Sequence, residues 1–248
     1  MMILQHENVL ITGGTKGLGR AIAVALAAAG AKVTVIGRNK TALDAMKETK
    51  IDAVVGDVTD KIFMDQIIAE VNPSILILNA GATPAMAPIN EMDWESFSAV
   101  WNIDTKAGLF GIQAALKTPM PNGSRVFIIS SGAALGGSSL SGGYAGAKRM
   151  LWFMAKYANE VSTQRSLGIQ FQVIVPTQII GETDFGFYSA KAIAKGRNMK
   201  VEDYLAGTYG KPFTAKEYAA YFVKIITDKL YGDGVAYGIK YDGISKLE

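Results

Sequence analysis

Tyr144 and Lys148 lie four residues apart at the start of a segment with helical composition, so the phenol and the ammonium share one helical face. That pairing has a chemical use. A free phenol, with a pKa of about 10, releases its proton too reluctantly to shuttle protons near neutrality, and a neighbouring cation stabilises the phenolate. Upstream, Arg125–Ser130 reads as a buried strand that delivers two adjacent hydroxyls, Ser130 and Ser131, at its end. Either is a candidate partner for a reacting oxygen.

A second constellation sits near the N-terminus. Val9-Leu10-Ile11-Thr12-Gly13-Gly14-Thr15-Lys16-Gly17-Leu18-Gly19 runs from a strand pattern into a helix pattern. Glycines at 13, 17 and 19 permit a tight turn, close approach of backbone to a phosphate, and close packing of helix on sheet. The helix start then offers free N–H groups and a partial positive charge to a pyrophosphate. Gly13, Thr15, Lys16, Gly17, Leu18 and Gly19 are therefore the candidate cradle of a dinucleotide. Lys16 is followed by glycine and not by Ser or Thr, so the loop lacks the ending of an ATP-hydrolysing P-loop.

The second strand ends Val35-Ile36-Gly37-Arg38. An acidic side chain here would take hydrogen bonds from a ribose 2′-hydroxyl and repel a 2′-phosphate. Gly37 leaves that space open and Arg38 brings a guanidinium, with Lys16 able to reach the same region. The pattern points to NADP(H), although Arg38 and Lys16 can also be read as solvated surface charges.

The elements that must position these groups alternate along the chain. Asn8–Thr12, Lys32–Ile36, Ala53–Gly56, Ser74–Leu78, Arg125–Ser130 and Gln170–Val175 read as buried strands. Leu18–Ala29, Lys40–Glu48, Lys61–Val71, Trp94–Leu116 and Tyr144–Gln164 read as helices. This alternation predicts an α/β fold, a Rossmann-type doubly wound parallel sheet with helices on both faces, over residues 1–248 as one domain. Residues 184–213 form a helical excursion, with Phe185, Phe187 and Tyr188, placed where a substrate cap attaches. Thr214–Lys229 and Val235–Tyr241 are then a helix and the last strand. The fourth strand is expected beside the first at the switch point, which brings Asn79, Ala80 and Gly81 to the cofactor crevice.

Composition narrows the alternatives. The chain of 248 residues carries 25 Lys/Arg against 22 Asp/Glu, with no basic block, so neither nucleic acid nor an anionic membrane surface is an expected partner. It has no cysteine and a single histidine, His6, which rules out thiolate chemistry and leaves too little for a metal cluster or a Ser-His-Asp triad. Met1-Met2-Ile3-Leu4-Gln5-His6-Glu7 lacks the form of a signal peptide, and the apolar run Ala21–Ala31 is too short to cross a bilayer. A cytoplasmic enzyme is expected.

Taken together, the sequence resembles the short-chain dehydrogenase/reductase family, in its single-domain branch of about 250 residues. The resemblance rests on Thr12-Gly13-x-x-x-Gly17-x-Gly19, Asp57-Val58, Asn79-Ala80-Gly81, Asn102, Ser131 and Tyr144-x-x-x-Lys148, in the family's order. It implies hydride transfer between nicotinamide and a carbonyl or alcohol substrate, with Tyr144 as general acid/base. It also implies that Ser131 holds the substrate oxygen, that Lys148 tunes Tyr144 and holds the nicotinamide ribose, and that Asn102 anchors a proton-relaying water. Asp57 and Val58 would meet the adenine, though Asp57 can equally cap the next helix, and Asn102 can serve backbone alone. Backbone at Pro176 and at Ile179 or Ile180 would meet the carboxamide. After the sixth strand the family's Pro-Gly is Pro176-Thr177 here, and Thr183 is displaced, which weakens its expected cofactor contact. A homodimer or homotetramer is implied as well. A catalytically retired NADP(H)-binding sensor or scaffold would share the fold, and the complete set of Asn102, Ser131, Tyr144 and Lys148 speaks for catalysis.

Overall fold

The apolar runs become strands because they are buried on both sides. In the computed structural model, which describes residues 3–248 and only the backbone of Lys47, eight strands form one sheet. They are β1 (Asn8–Thr12), β2 (Lys32–Gly37), β3 (Asp52–Val55), β4 (Ile75–Leu78), β5 (Arg125–Ile129), β6 (Gln170–Pro176), β7 (Ala236–Lys240) and β8 (Gly243–Lys246). Their order is β3-β2-β1-β4-β5-β6-β7-β8. All pairs are parallel except β7 with β8. Met1 and Met2, part of the stretch read against a signal peptide, lie outside the described residues.

Successive residues of a strand face opposite ways, and two cores follow. Val9, Ile11, Ile77 and Phe127 point to one face, which is covered by α1 (Gly17–Ala28), α2 (Lys40–Lys47) and α10 (Ala215–Thr227) through Ile22, Leu26, Met46 and Phe222. Leu10, Leu76, Ile128 and Val173 point to the other, under α3 (Lys61–Val71), α5 (Lys106–Lys117) and α7 (Gly143–Gln164) through Met64, Ile112 and Leu151. The doubly wound α/β fold is therefore as expected. Because β1 pairs with β2 on one side and β4 on the other, the chain leaves β1 and β4 in opposite directions, opening a crevice at their carboxyl ends.

Three features differ from expectation. The helix foreseen over Trp94–Leu116 is α4 (Trp94–Val100), a π-helical turn at Trp101–Thr105, and then α5. A short α6 (Ala133–Gly136) follows β5, and a hairpin adds β8 after the strand taken to be the last. The 184–213 excursion is helical, as α8 (Asp184–Gly196) and α9 (Val201–Tyr209). No helix among the described residues is long and apolar enough to cross a membrane.

Candidate active site

The crevice is built from the glycine loop outward. Thr12, at the end of β1, is 2% exposed, and its hydroxyl oxygen accepts from the backbone N–H of Asn79 at 2.9 Å and of Ala80 at 3.1 Å. In return, the Asn79 amide donates to the carbonyls of Thr12 at 3.1 Å and Gly13 at 3.0 Å. The segment after β4 is thus locked to the loop after β1. Gly13 has φ +67°, and a Cβ there would lie 2.9 Å from the Ala80 Cα, so glycine serves both the turn and the approach. A Cβ at Gly19 would stand 2.3 Å from the Gly13 carbonyl oxygen. At Gly17 (φ +53°) nothing lies within 4 Å of where a Cβ would be, so the loop is open on that side.

Helix α1 begins after Lys16 with no side-chain cap and no acidic residue in its first turn, leaving its leading N–H groups directed into the crevice mouth. An uncapped, open, glycine-lined helix start fits a pyrophosphate. Lys16 itself is exposed and reaches Asp184 at the start of α8, 3.5 Å away. Gly37 closes β2, where a Cβ would lie 2.9 Å from Thr15, and Arg38 beyond it is exposed. Asp57 faces the same region. Its carboxylate accepts from the Thr59 N–H and hydroxyl, both at 2.8 Å, which hold its pKa below the usual value with help from Arg38. It does not cap α3. Asp60 does so, accepting from Ile62 and Phe63. Val58 is half-buried against the core.

The second constellation stands at the end of β5. Gly142 and Gly143 let the start of α7 press on α4, since a Cβ at Gly143 would fall 2.0 Å from the Phe97 carbonyl oxygen. This seats Tyr144, 7% exposed, against Val100 and Ala147. The Ser131 hydroxyl stands beside the Tyr144 phenol, pulling its pKa down, and accepts from the Ala133 N–H at 3.2 Å. Ser130 turns the other way, its hydroxyl donating to the Lys148 carbonyl at 2.8 Å. Of the two adjacent hydroxyls, Ser131 is the one at the phenol. The Lys148 Nζ lies 5.8 Å from the centre of the Tyr144 ring and donates to the Ile129 carbonyl at 3.3 Å. Tyr144, Ser131 and Lys148 are thus brought together as expected.

Asn102 is not among them. It is exposed on the π-helical turn, and the place beside Lys148 belongs to Asp104, 1% exposed, whose Oδ2 lies 3.0 Å from the Lys148 Nζ. Its other oxygen accepts from the Ala82 N–H at 2.7 Å. The physical reason is helical phase: two residues rotate the side chain by roughly 200°, so Asn102 faces away when Asp104 shares the buried face of Val100, Ala107 and Gly108. That apolar spacing was the signal that singles out Asp104.

The phenol also differs from expectation. Burial pushes the Tyr144 pKa above its ordinary value, against the pull of Lys148 and Ser131, and Asp104 pushes the same way as burial. Burial alone would lower Lys148, yet Asp104 and Tyr144 together hold it above its ordinary value.

At the far side of the crevice, Pro176 ends β6 and its carbonyl accepts from the Gly132 N–H at 2.9 Å. Ile179 is half-buried against α8 and α9, with its backbone beside the Tyr209 phenol. Thr183 is committed to capping α8, accepting from the Gly186 N–H at 3.0 Å and donating to the Ile180 carbonyl at 2.9 Å. From the cap, Phe185 reaches the Tyr144 ring at 5.5 Å between centres, whereas Phe187 and Tyr188 are exposed.

Comparison with known proteins agrees with this geometry. The short chain dehydrogenase family matches residues 7–186. A sorbitol dehydrogenase of Cereibacter sphaeroides is 30% identical over 194 residues, 73% of each chain. A cis-1,2-dihydrobenzene-1,2-diol dehydrogenase of Pseudomonas putida is 26% identical over 247 residues, covering 91% of this chain and 86% of its own. The crystal structure of a levodione reductase superposes with a TM-score of 0.83 at 25% identity, covering 97% of both chains. The protein belongs to the short-chain dehydrogenase/reductase family, a family of nicotinamide-dependent oxidoreductases.

Proposed function

We propose that this chain is an NADP(H)-dependent oxidoreductase that interconverts a carbonyl and an alcohol, with Tyr144 as general acid/base. One observation carries the reading: Tyr144 is buried in contact with Ser131 and Lys148 at the carboxyl edge of the sheet, the edge that also bears the uncapped glycine loop. Gly13, Thr15, Lys16, Gly17, Leu18 and Gly19 would hold the pyrophosphate, Arg38 the 2′-phosphate, and Asp57 with Val58 the adenine. Asn79, Ala80, Gly81 and Lys148 would line the nicotinamide ribose, and the backbone at Pro176 and Ile179 would meet the carboxamide. Bound nicotinamide supplies the hydride acceptor or donor.

In reduction, Ser131 donates a hydrogen bond to the carbonyl oxygen and fixes its place. Tyr144 gives its phenolic proton to that oxygen as negative charge develops there, and Lys148 steadies the phenolate left behind. In oxidation the proton runs back. Donors fixed in a buried site are worth more than the same groups in water, because no reorganisation is needed as charge appears. The described chain acts as one catalytic unit, with α8 and α9 as a substrate cap whose Phe185 gives the pocket an apolar wall. A homodimer or homotetramer would cover Phe153 and Tyr157, exposed and stacked on α7.

The test is NADPH oxidation by purified protein across a panel of ketones and aldehydes, with Tyr144→Phe alongside. Turnover in the parent, its loss in the variant by at least about a hundredfold, and retained NADPH binding support the reading. Equal turnover in the two proteins would remove Tyr144 as proton donor. Binding without turnover across the whole panel would favour a cofactor-sensing protein.

A further inference from the structure

Asp104 is a buried carboxylate that the proposed proton transfer leaves unused. Its Oδ1 is taken by the Ala82 N–H, and its Oδ2 faces the Lys148 Nζ at 3.0 Å with no other hydrogen-bond partner among the described residues. The space beside it, bounded by Thr12, Ala80, Gly108 and Leu151, is a cavity of about 10 Å³, room for the centre of one water at most. No second cation can approach from that side, so carboxylate and ammonium balance each other's charge.

Among the described residues, no further charged group acts on Tyr144 or Lys148. The segment after β4 contributes Asn79, Ala80, Gly81 and Ala82, the end of β5 contributes Ser130 and Ser131, and α8 contributes Phe185. On α4 and just before it, Glu91, Asp93 and Glu95 are exposed, as is Lys106 at the start of α5. Asp184 is exposed and paired with Lys16. The titratable groups that face one another here are therefore Tyr144, Lys148 and Asp104.

We propose that Asp104 is a positioning residue that keeps Lys148 charged and Tyr144 protonated, so that the resting, charge-balanced site is set to give a proton to a carbonyl oxygen. The inference rests on the function proposed above and adds a direction to it. A lone ammonium beside a phenol favours loss of the phenol's proton, whereas an ammonium already neutralised by a carboxylate does so much less. Removing the carboxylate's negative charge makes the first proton easier to remove from the Tyr144–Lys148 pair, whichever residue gives it up. Burial, the largest influence, holds the phenol proton in place, Lys148 and then Ser131 draw it off, and Asp104 adds a smaller pull in the direction of burial, so that the proton is held on balance.

The experiment is a pH titration followed by carbon-13 NMR of the full chain, with label at the tyrosine ring carbon bearing oxygen and at the lysine Cε. The two resonances are assigned by their loss in Tyr144→Phe and Lys148→Met. In the parent protein, phenol and ammonium should both persist through neutrality. In Asp104→Asn, which keeps the shape and the acceptor for the Ala82 N–H, the first proton of the pair should leave roughly one to two pH units lower. The alkaline limb of NADPH-dependent carbonyl reduction should move down with it, whereas a merely structural residue would lower the rate at every pH without moving the limb. An unchanged first titration in Asp104→Asn overturns the proposal. So does a Tyr144 phenolate already predominant at neutral pH in the parent, a measurement that decides the matter even if the variant does not fold. Absence of turnover with every carbonyl would sink the proposed function but leave both titrations readable.

Discussion

Thr12→Val tests whether one buried hydroxyl ties the glycine loop to the segment after β4. Valine has nearly the same shape, so packing is conserved and the change is one of polarity. The Thr12 oxygen accepts from two backbone amides, those of Asn79 at 2.9 Å and Ala80 at 3.1 Å, and its own proton makes only a long contact with the Ile77 carbonyl at 3.4 Å. Each amide left without a partner costs about 1–3 kcal/mol, with the lower half of that range apt because Asn79 and Ala80 are only half-buried. The pair together should therefore cost about 2–4 kcal/mol. In a chain of this size each kcal/mol moves Tm by roughly 2–4 °C, so a drop of roughly 5–15 °C is expected. Differential scanning calorimetry of the parent, Thr12→Val and Thr12→Ser measures it, serine keeping the acceptor and losing only a methyl. NADPH affinity should fall with stability in the valine variant, because the locked segment carries Asn79, Ala80 and Gly81. If Thr12→Val melts with or above Thr12→Ser, the hydroxyl does not hold the crevice and the reasoning fails.

Two further substitutions probe the cofactor side. Gly19→Ala places a methyl 2.3 Å from the Gly13 carbonyl oxygen, a backbone atom that cannot swing aside. It should lower stability by about 1–3 kcal/mol and weaken NADPH binding about tenfold or more, read by fluorescence titration, and unchanged affinity would refute the cradle. Arg38→Ala should cut the preference for NADPH over NADH roughly tenfold or more by removing a charge-assisted contact to the 2′-phosphate. Competition between the two nucleotides measures this, and a parent without preference would overturn the NADP(H) reading.

Strands were legible because a parallel strand buried on both faces must be apolar throughout, and β1 ends where its apolar run ends, at Thr12. β8 was not, because Gly243-Ile244-Ser245-Lys246 is a half-exposed antiparallel edge whose pattern is that of a polar tail. The proximity of Tyr144 and Lys148 followed from helical spacing alone. Their protonation did not, since it depends on burial and on Asp104, which arrives from a separate element. Asn102 was chosen by residue type, whereas the phase set by Val100, Ala107 and Gly108 puts Asp104 on the buried face and turns Asn102 outward. The π-helical turn at Trp101–Thr105 sits where the chain passes the active site, a usual place for such turns.

The contacts divide the site into a stiff centre, where proton transfer is proposed, and a loosely joined helical excursion, the proposed cap. Lys148 is held through its carbonyl by Ser130 and through its Nζ by the Ile129 carbonyl and Asp104, and Asp104 in turn holds the Ala82 N–H. These residues come from β5, α7, the π-helical turn and the segment after β4, so none of the four can shift without breaking a buried polar contact. The cap meets the catalytic elements through the Phe185 ring against Tyr144 and through an exposed Lys16–Asp184 pair, which solvent screens to little consequence. Substitutions in α8 and α9 should then reach substrate choice with the proton donor intact, whereas changes at 104 or 130 should reach proton transfer without touching substrate. On the function proposed above, the chemistry would be held by side chains bound to backbone, and specificity left to the part that those bonds do not include.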